Sequence, residues 1–544
     1  MCIRDRLIVT LSFVEYGKNE FLVRREWLEM ILELMDSRYL KRFLLLDYLH
    51  INQNHSIELM ELVKLSQVSY PTVKKIITDI RMDIIDLGYS EYVELIDLPE
   101  QNKVIWNVKK NFSLMIFRLY YLENSYRFQL FSLFLEPKEW TISEITKKIN
   151  TTYTMVKKEL IYLERFITIN ANNLHLRTDR RLTLLGDEVT IRLFYTGIFQ
   201  QVYGGYKWPF VFISTNEIIN LLESLDVGIY RKFSARFVSI HYGLAISLLR
   251  ANKRSIPDNV YYWEPISIQE KKMYDHLFSL LKKKMAMIHP TILKREVKFI
   301  ISCIIASDLG HHDGSLPVFF NESPKLKEIG FLHMINEKVH MVERFALRKM
   351  TTKERDKLFA RLVGVFYQIL IYQEALHQRL IDLYVYHPFD FPANKERERT
   401  FYQIFMSKCS RNLNAFEAEY IEYFCVAYYK ILFFELDRQL FHPKIRIFII
   451  SNRTPEMLVS TKLQTIGDYF YIEIADSLCR EVDLILTDIA LSNQTKSFLP
   501  RKIPILYLTE GYCPSDNKLL QEILPKIADR KYREIKKIGH EKRF

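Results

Sequence analysis

The sequence is short of the features that mark several large protein classes. Its 544 residues contain only 15 glycines and 17 prolines, too few for a fibrous or disordered chain. No apolar run approaches the roughly 20 residues that a membrane-spanning helix needs. The apolar stretch near the N-terminus is short and lacks the small-residue cleavage site of a signal peptide. We therefore expect a cytoplasmic protein that does not bind membranes.

Metal-ligand spacings and catalytic motifs are also missing. None of the six cysteines has the paired spacing of metal ligands, as expected of reduced thiols in a cytoplasmic protein. The sequence contains no GxxxxGK[ST], GxGxxG, HExxH or GxSxG motif. We therefore expect no catalytic residues, no metal and no cofactor, and we predict that the protein is not an enzyme.

A helix-turn-helix pattern is present between residues 141 and 166. Apolar residues recur at helical spacing up to Ile149, and a second amphipathic helix follows Thr152, whose side chain suits a helix N-cap. A single helix, residues 112–135, is predicted to precede the pattern and to supply a hydrophobic face. The second helix leaves polar and basic side chains outside, as in a DNA-reading helix. Its predicted DNA contacts are Tyr153, Thr154, Lys157, Lys158 and Arg165.

A basic hairpin is predicted directly after this helix. Residues 169–188 have strand-like alternation around a turn that contains Arg177, Arg180 and Arg181. Arginines on such a hairpin, or wing, can contact DNA phosphates. We therefore interpret this part of the chain as a winged helix-turn-helix DNA reader. The structural alternative is a helical hairpin inside a larger α-domain.

The same pattern occurs earlier in the chain. Aligned without gaps, residues 59–75 and 142–158 share six identities in 17 positions. The first copy also has a predicted hairpin, residues 92–110. An internal repeat of one supersecondary unit is stronger evidence than either copy alone. The predicted DNA-binding residues of the first copy are Tyr70, Thr72, Lys74 and Lys75.

The distribution of charge distinguishes the two copies. The formal net charge of +12 permits a polyanionic partner. Residues 1–100 contain 12 Lys and Arg against 17 Asp and Glu, whereas residues 101–200 contain 15 against 9. Attraction to phosphate therefore favours the second copy. We predict that it dominates affinity for double-stranded DNA, while the first copy assists or makes protein contacts.

The character of the sequence changes twice after residue 192. Long amphipathic helices follow to about residue 434, interrupted by a linker-like segment at 311–325. From residue 443, short apolar strands alternate with helices, which predicts a parallel α/β sheet. The alternative for the helical region is one large dimerisation body with no sensing role.

The predicted fold is multidomain and mainly α, with tandem winged helix-turn-helix units, two helical bundles and a C-terminal α/β domain. We call the two copies the first and second winged units. The predicted boundaries are 1–37 for an N-terminal adaptor segment, 38–110 and 111–192 for the first and second winged units, 193–312 and 322–434 for the helical halves, and 443–544 for the α/β domain.

This order of parts resembles the Mga-type regulators, the M-protein trans-acting positive regulators of Gram-positive bacteria, to which the anthrax toxin activator is similar. The resemblance rests on both reader segments, on YTGIFQQVYGGYKWPF at 195–210 and on HYGLAISLLRANKRSIP at 241–257. It implies a transcriptional activator whose helical halves resemble phosphotransferase-system regulation domains. It also implies an enzyme IIB-like C-terminal domain, a homodimer joined through the C-terminal parts, and phosphotransferase-system phosphocarrier proteins as partners.

The resemblance further implies phosphorylation of exposed histidines in the helical halves, for which His241 and His377 are the candidates. An added phosphoryl charge would reshape a helical interface. The alternative is that each is an ordinary surface or core residue. An active cysteine-type IIB component has a phosphorylatable Cys after its first strand, where this sequence has Ser451-Asn452-Arg453. We therefore expect a retained scaffold rather than a transferase.

Two regulators with the same helical halves are alternative interpretations. An RNA-binding antiterminator resembles this chain in the middle, but it begins with a small β-rich RNA-binding domain rather than with winged units. A mannitol-type sugar-operon regulator has active phosphotransfer domains, which the missing IIB cysteine disfavours.

Overall fold

In the computed structural model the described part of the chain is mainly helical, with three small β-sheets. It forms two units, one from Met1–Ser307 with Leu370–Tyr386 and one from Asp308–Ile369 with His387–Phe544. The predicted adaptor segment lies mostly outside the described residues. These are residues 30–171, 173–223, 235–251, 253–258, 260, 262–285, 288–306, 320, 322–376, 424, 427, 431–432, 436–441, 443–451, 471–479, 481–489, 491, 499–500, 503–508 and 514–541.

The first winged unit has a helix-turn-helix followed by an antiparallel hairpin. Its central strand pairs with both neighbours and places Leu95 opposite Trp106. Trp106 and Val73 are fully buried between the sheet and the helices. The elements are α1 (Ser37–Ile51), β1 (Ser56–Glu58), α2 (Leu59–Ser66), α3 (Tyr70–Asp86), β2 (Val93–Leu98) and β3 (Lys103–Val108).

The second winged unit repeats this order of helix, turn, helix and hairpin. Trp140 forms an isolated bridge with Leu182, in the place that β1 has in the first unit. Trp140 is buried in the core of this unit. The elements are α4 (Met115–Asn124), α5 (Tyr126–Leu133), α6 (Ile142–Lys148), α7 (Tyr153–Asn170), β4 (His175–Arg177) and β5 (Thr183–Leu185).

The predicted sequence repeat is also a structural repeat. Helices α2 and α6 begin at Leu59 and Ile142, and helices α3 and α7 begin at Tyr70 and Tyr153. Both pairs of starts are 83 residues apart, so the ungapped alignment is the structural alignment. The predicted reading helices and hairpins of both units are therefore confirmed as elements.

The turn between the two helices has the same backbone conformation in both units. Gln67 has φ of 52° and Asn150 has φ of 49°, and these residues are also 83 positions apart. A left-handed conformation is costly for most residues, although Asn adopts it more readily than others. The turn is therefore a defined geometric feature that sets the angle between the helices.

The prediction of one helix over residues 112–135 is wrong, because the chain breaks between α4 and α5. Ser125 has an extended backbone, with ψ of 125°. Its buried hydroxyl donates to the Leu34 carbonyl at 3.1 Å and accepts from the Asp36 N–H at 2.7 Å. These contacts cross about 90 positions of sequence, so the local helical pattern does not reveal them.

The helices that follow the second winged unit pack around α8. This helix contacts α10, which in turn contacts α12. The elements are α8 (Glu188–Tyr203), α9 (Thr215–Glu223), α10 (Ala235–Ala251), α11 (Ile268–Lys284) and α12 (Pro290–Ala306).

Four buried charged side chains join these helices, and we call them the ion network. Arg192 contacts Glu296 at 2.6 and 3.0 Å and Glu188 at 2.8 Å. Arg250 contacts Glu188 at 2.8 and 2.9 Å and donates to the carbonyl of Leu135 at 2.8 Å. Burial lowers the pKa of Arg192, but the carboxylates of Glu296 and Glu188 outweigh it and raise that pKa. Arg192 therefore keeps its positive charge in the interior.

The predicted α/β sheet lies in the second of the two units that form the chain, the one that contains His387–Phe544. Its strand order is β7-β6-β8-β9 and every pair is parallel, which confirms the prediction. Leu520, Leu524 and Ile527 pack from the last helix onto the sheet. The elements are α13 (Pro324–Glu328), α14 (Phe331–Phe345), α15 (Thr352–Leu376, whose last residues group with the first unit), β6 (Ile445–Ile450), β7 (Ile472–Ile474), β8 (Leu484–Thr487), β9 (Ile505–Tyr507) and α16 (Pro514–Glu541).

Two predictions of the sequence analysis fall largely outside this description. The linker-like segment 311–325 is described only at its end, where α13 begins. Most of the predicted helices between residues 397 and 434 also lie outside the described residues. Among the helices that are described, none is long and apolar enough to cross a membrane.

We expect the turn at Asn150 to tolerate glycine but not a β-branched residue. Asn150→Gly should keep the local stability of α6 and α7 within about 0.5 kcal/mol, because Gly adopts positive φ readily. Asn150→Val should lower it by about 1 kcal/mol, because Val does not. Hydrogen exchange of the α6 and α7 amides measures both changes, and equal protection in the two variants would contradict the prediction.

Removing one charge from the ion network should destabilise the helical region strongly. Glu296→Gln leaves Arg192 and Arg250 sharing the carboxylate of Glu188, so one buried positive charge of the ion network is uncompensated, which we expect to cost about 3 kcal/mol. The control is Glu264→Gln, because Glu264 pairs with Lys298 near the surface and should cost less than about 1 kcal/mol. Hydrogen exchange of α8 and α12 amides measures both costs. A loss in the Glu296 variant no larger than in the control would refute the role of the network.

Candidate nucleic-acid interface

Local capping interactions fix the start of each helix in the second reader. The Thr141 hydroxyl accepts from the Glu144 N–H at 3.2 Å, and the Glu144 carboxylate accepts from the Thr141 N–H at 2.7 Å. The hydrogen bond from the Thr141 N–H lowers the pKa of the Glu144 carboxyl. The Thr152 hydroxyl accepts from the Met155 N–H at 3.3 Å. Satisfied N–H groups at both helix starts stabilise the helix-turn-helix geometry.

Helix α7 buries one face and exposes the face predicted to read DNA. Val156, Leu160 and Leu163 are buried against the rest of the unit. Glu159 is also buried, and its carboxylate accepts from Arg127 Nε at 2.9 Å. The structure places all five predicted contact residues of this helix on the surface: Tyr153, Thr154, Lys157, Lys158 and Arg165.

A tyrosine and a lysine form the same contact on both reading helices. Lys157 Nζ lies 4.9 Å from the ring centroid of Tyr153, and Lys74 Nζ lies 4.9 Å from that of Tyr70. The pairs are equivalent in the repeat and have i, i+4 spacing on a helix. Each is a cation–π contact that positions the lysine at the start of the reading helix. The sequence analysis identified these residues but not this interaction.

The three arginines in the wing of the second winged unit have two different roles. Arg177 donates from Nε to the Arg181 carbonyl at 2.9 Å and from Nη2 to Glu139 Oε1 at 2.6 Å. Arg177 therefore braces the wing, and its predicted contact with phosphate stays a prediction. Arg180 and Arg181 are exposed in the turn between β4 and β5. The wing thus presents two arginines and uses the third for its own conformation.

The sequence analysis did not select two further lysines near this surface. Lys147 and Lys148 are exposed in the last turn of α6, next to the turn that leads into the reading helix. In helix-turn-helix proteins the first helix crosses the DNA backbone. Their position at a helix end was the available signal, because cations are favourable at the C-terminus of a helix.

The first winged unit exposes the equivalent face of its reading helix, but its wing differs. Thr72, Lys74 and Lys75 are exposed, and Tyr70 is half-buried. The Tyr70 hydroxyl donates to Asn102 Oδ1 at 2.9 Å, so the reading helix contacts its own wing turn. All four predicted residues of this unit therefore lie at the start of α3, as the repeat requires.

The two units differ most in charge. Residues 140–185 contain 8 Lys and Arg against 4 Asp and Glu, whereas residues 56–108 contain 5 against 9. Several cations of the first unit are also paired, as in the Arg81–Asp97 contact at 2.8 Å. The second unit therefore has the surface with the stronger attraction for phosphate.

Comparison with protein families agrees with this geometry. Residues 110–199 match the family model of the Mga helix-turn-helix domain. The chain contains an Mga helix-turn-helix domain. The predicted resemblance to Mga-type regulators is thereby confirmed over this segment, and so is the coarse prediction of a DNA-binding transcriptional regulator. Among curated proteins, none matches the chain.

The Mga domain contains the complete second winged unit. It extends from just before α4 through β5 and includes most of α8. Helix α8 supplies Glu188 and Arg192 to the ion network, so the same helix closes the Mga domain and forms the centre of the helical region. The DNA-facing surface is therefore continuous in structure with the helices that follow it.

One of the two candidate phosphorylation residues, His241, is less accessible than the sequence analysis expects. His241 lies on α10 and is only 5% exposed, which differs from the exposed position expected for it. Burial lowers the pKa of its imidazole to about 4. In this conformation a phosphocarrier protein does not reach the ring, so phosphorylation there would require α10 to open. His377 lies outside the described residues.

A serine follows the first strand of the C-terminal sheet. Ser451 follows β6, and its hydroxyl donates to Asp488 Oδ2 at 2.8 Å, at the end of β8. Asn452 and Arg453 lie outside the described residues. Within the described part of the chain, no three His, Cys, Asp or Glu side chains are grouped to bind a metal ion.

We expect the buried His241 to make stability depend on pH. Between about pH 6.5 and pH 4 the unfolded chain binds a proton at this position and the folded chain does not. The free energy of unfolding should therefore decrease as pH falls through this window. His241→Gln should reduce that decrease, whereas His276→Gln, at an exposed position of α11, should not. Urea unfolding at pH 7, 5.5 and 4 measures this, and identical slopes in both variants would contradict the assignment.

Proposed function

We propose that the protein is a DNA-binding transcriptional activator of the Mga type, in which the second winged unit supplies most of the affinity for DNA. The observation that carries this proposal is the cationic face of α7 inside the Mga helix-turn-helix domain. We further propose that it is a cytoplasmic protein with no enzymatic activity.

The proposed contacts follow from the geometry of the second reader. Helix α7 enters the major groove, where Tyr153 and Thr154 reach base edges and Lys157 and Lys158 reach bases or phosphates. Arg165 extends this contact along the same face. Lys147, Lys148, Arg180 and Arg181 contact the backbone on either side, and Arg177 holds the wing in place.

Self-association would strengthen this binding. In the proposed homodimer, the C-terminal parts join two chains and place two readers on one duplex. Binding of the first reader then raises the effective concentration of the second. The parallel sheet, with Ser451 in place of a reactive thiolate, supports a structural role for the C-terminal domain.

We propose that phosphotransferase-system phosphocarrier proteins regulate the protein through histidines of the helical halves. In addition to His241 and His377, the structure offers His340 on α14 as an acceptor that is more accessible than His241. Its Nδ1 lies 3.0 Å from Glu343 Oε2, and its Nε2 lies 3.4 Å from Arg355 Nη2. A phosphoryl group at this ring would have the guanidinium of Arg355 as a neighbouring cation.

A salt-dependent titration on duplex DNA tests the central proposal. Each lysine that contacts a phosphate adds about 0.9 to the slope of log affinity against log salt. Lys157→Ala with Lys158→Ala should therefore weaken binding and reduce the slope by about 1.8 per bound chain. Lys74→Ala with Lys75→Ala is the matched control, because it removes the equivalent pair from the first unit, and it should have the smaller effect.

The possible outcomes separate the interpretations. A larger loss in the control pair would transfer DNA binding to the first winged unit. An unchanged slope in both variants would remove the reading helices from the interface. Wild-type protein that ignores duplex DNA and binds structured RNA would favour an antiterminator instead.

A further inference from the structure

A large apolar side chain occupies the middle of the cationic face of α7. Ile161 is 69% exposed. It follows Lys157 by four residues and Lys158 by three, and it precedes Arg165 by four. These spacings place all four side chains on one face of the helix. Ile161 therefore lies between the cations assigned to DNA contact.

The neighbouring residue Tyr162 does not share the outward orientation of Ile161. The ring of Tyr162 is 40% exposed, and the guanidinium of Arg127 lies 4.6 Å from its centroid. Tyr162 thus faces α5, whereas Ile161 faces outward with the lysines. Single exposed apolar residues are common on protein surfaces. Here, however, a duplex that contacts Lys157, Lys158 and Arg165 must also cover Ile161.

The chemistry of the major groove restricts what Ile161 can face. Most base edges there present hydrogen-bond donors and acceptors, which would lose water against an aliphatic side chain without gaining a partner. The C5 methyl group of thymine is the apolar exception. A thymine opposite Ile161 would bury two apolar groups together, and any other base would leave a polar edge unsatisfied.

We propose that Ile161 is a specificity-determining residue that selects thymine by contact with its C5 methyl group. This inference rests on the proposed DNA-binding function, and it adds the base that one position of the reading helix recognises. Ile161 lies about 6 Å along the helix axis from both Lys157 and Arg165, given a rise of about 1.5 Å per residue. The selected thymine should therefore lie inside the contacted segment rather than at its edge.

The test uses the full-length protein and a duplex selected by the wild type from a random-sequence pool. Each thymine of that duplex is replaced in turn by deoxyuridine, which lacks only the methyl group. At one position per reader, the wild type should bind the deoxyuridine duplex about fourfold more weakly, the value expected for one buried methyl group. Ile161→Ala should bind the thymine and deoxyuridine duplexes equally at that position.

The matched control is Ile268→Ala on α11, because Ile268 is 74% exposed and lies outside both winged units. This variant should keep the wild-type preference for thymine. Alanine favours helix and both sites are exposed, so both variants should fold normally.

Two results would overturn the inference while leaving the DNA-binding proposal intact. In one, the wild type binds every deoxyuridine duplex as tightly as the original. In the other, Ile161→Ala keeps the full preference for thymine, which would assign the methyl contact to another residue. If the wild type enriches no duplex from the pool, the proposed function itself fails, and the inference fails with it.

Discussion

The buried ion network is the interaction on which the structural unit formed by Met1–Ser307 and Leu370–Tyr386 depends. Two arginines and two glutamates leave water together, and their attraction offsets the cost of desolvation only when every contact is formed. Arg250 of α10 binds Glu188, and Glu296 of α12 binds Arg192, so α10 and α12 are both fixed to the first turns of α8, where Glu188 and Arg192 are themselves paired. Helix α8 is therefore held by charge in one position, which apolar packing alone would specify less strictly.

Close contacts through α5 connect α8 to the reading helix α7. The Tyr195 hydroxyl of α8 donates to the Phe131 carbonyl of α5 at 2.8 Å, and the two rings stack with centroids 4.4 Å apart. Arg127, also on α5, binds Glu159 of α7 at 2.9 Å. Packed and charged contacts thus connect the helical region to the surface of α7 that is proposed to face DNA. A rearrangement of that region would move the reader as a body.

The sequence predicted the features that depend on neighbouring residues and missed those that depend on distant ones. Thr152 as an N-cap and the repeated helix starts are local, so the pattern of residues was sufficient. The break at Ser125 depends on Asp36, about 90 positions away, and the helical pattern around it is uninterrupted. The burial of His241 and the brace formed by Arg177 likewise come from tertiary contacts. Sequence patterns therefore identified the exposed face of α7 but not the tertiary contacts that bury His241 and hold Arg177.

The contact between Tyr153 and Lys157 has a consequence for the thermodynamics of recognition. A free lysine loses much rotamer entropy when it is fixed at an interface, at a cost of about 0.5–1.5 kcal/mol. The ring already restricts Lys157, so in the proposed complex part of this entropy is lost before DNA arrives, and association becomes correspondingly more favourable. Lys74 is restricted in the same way by Tyr70, on a unit whose overall charge repels phosphate. The first reader is thus conformationally prepared for a polyanion that its electrostatics do not attract.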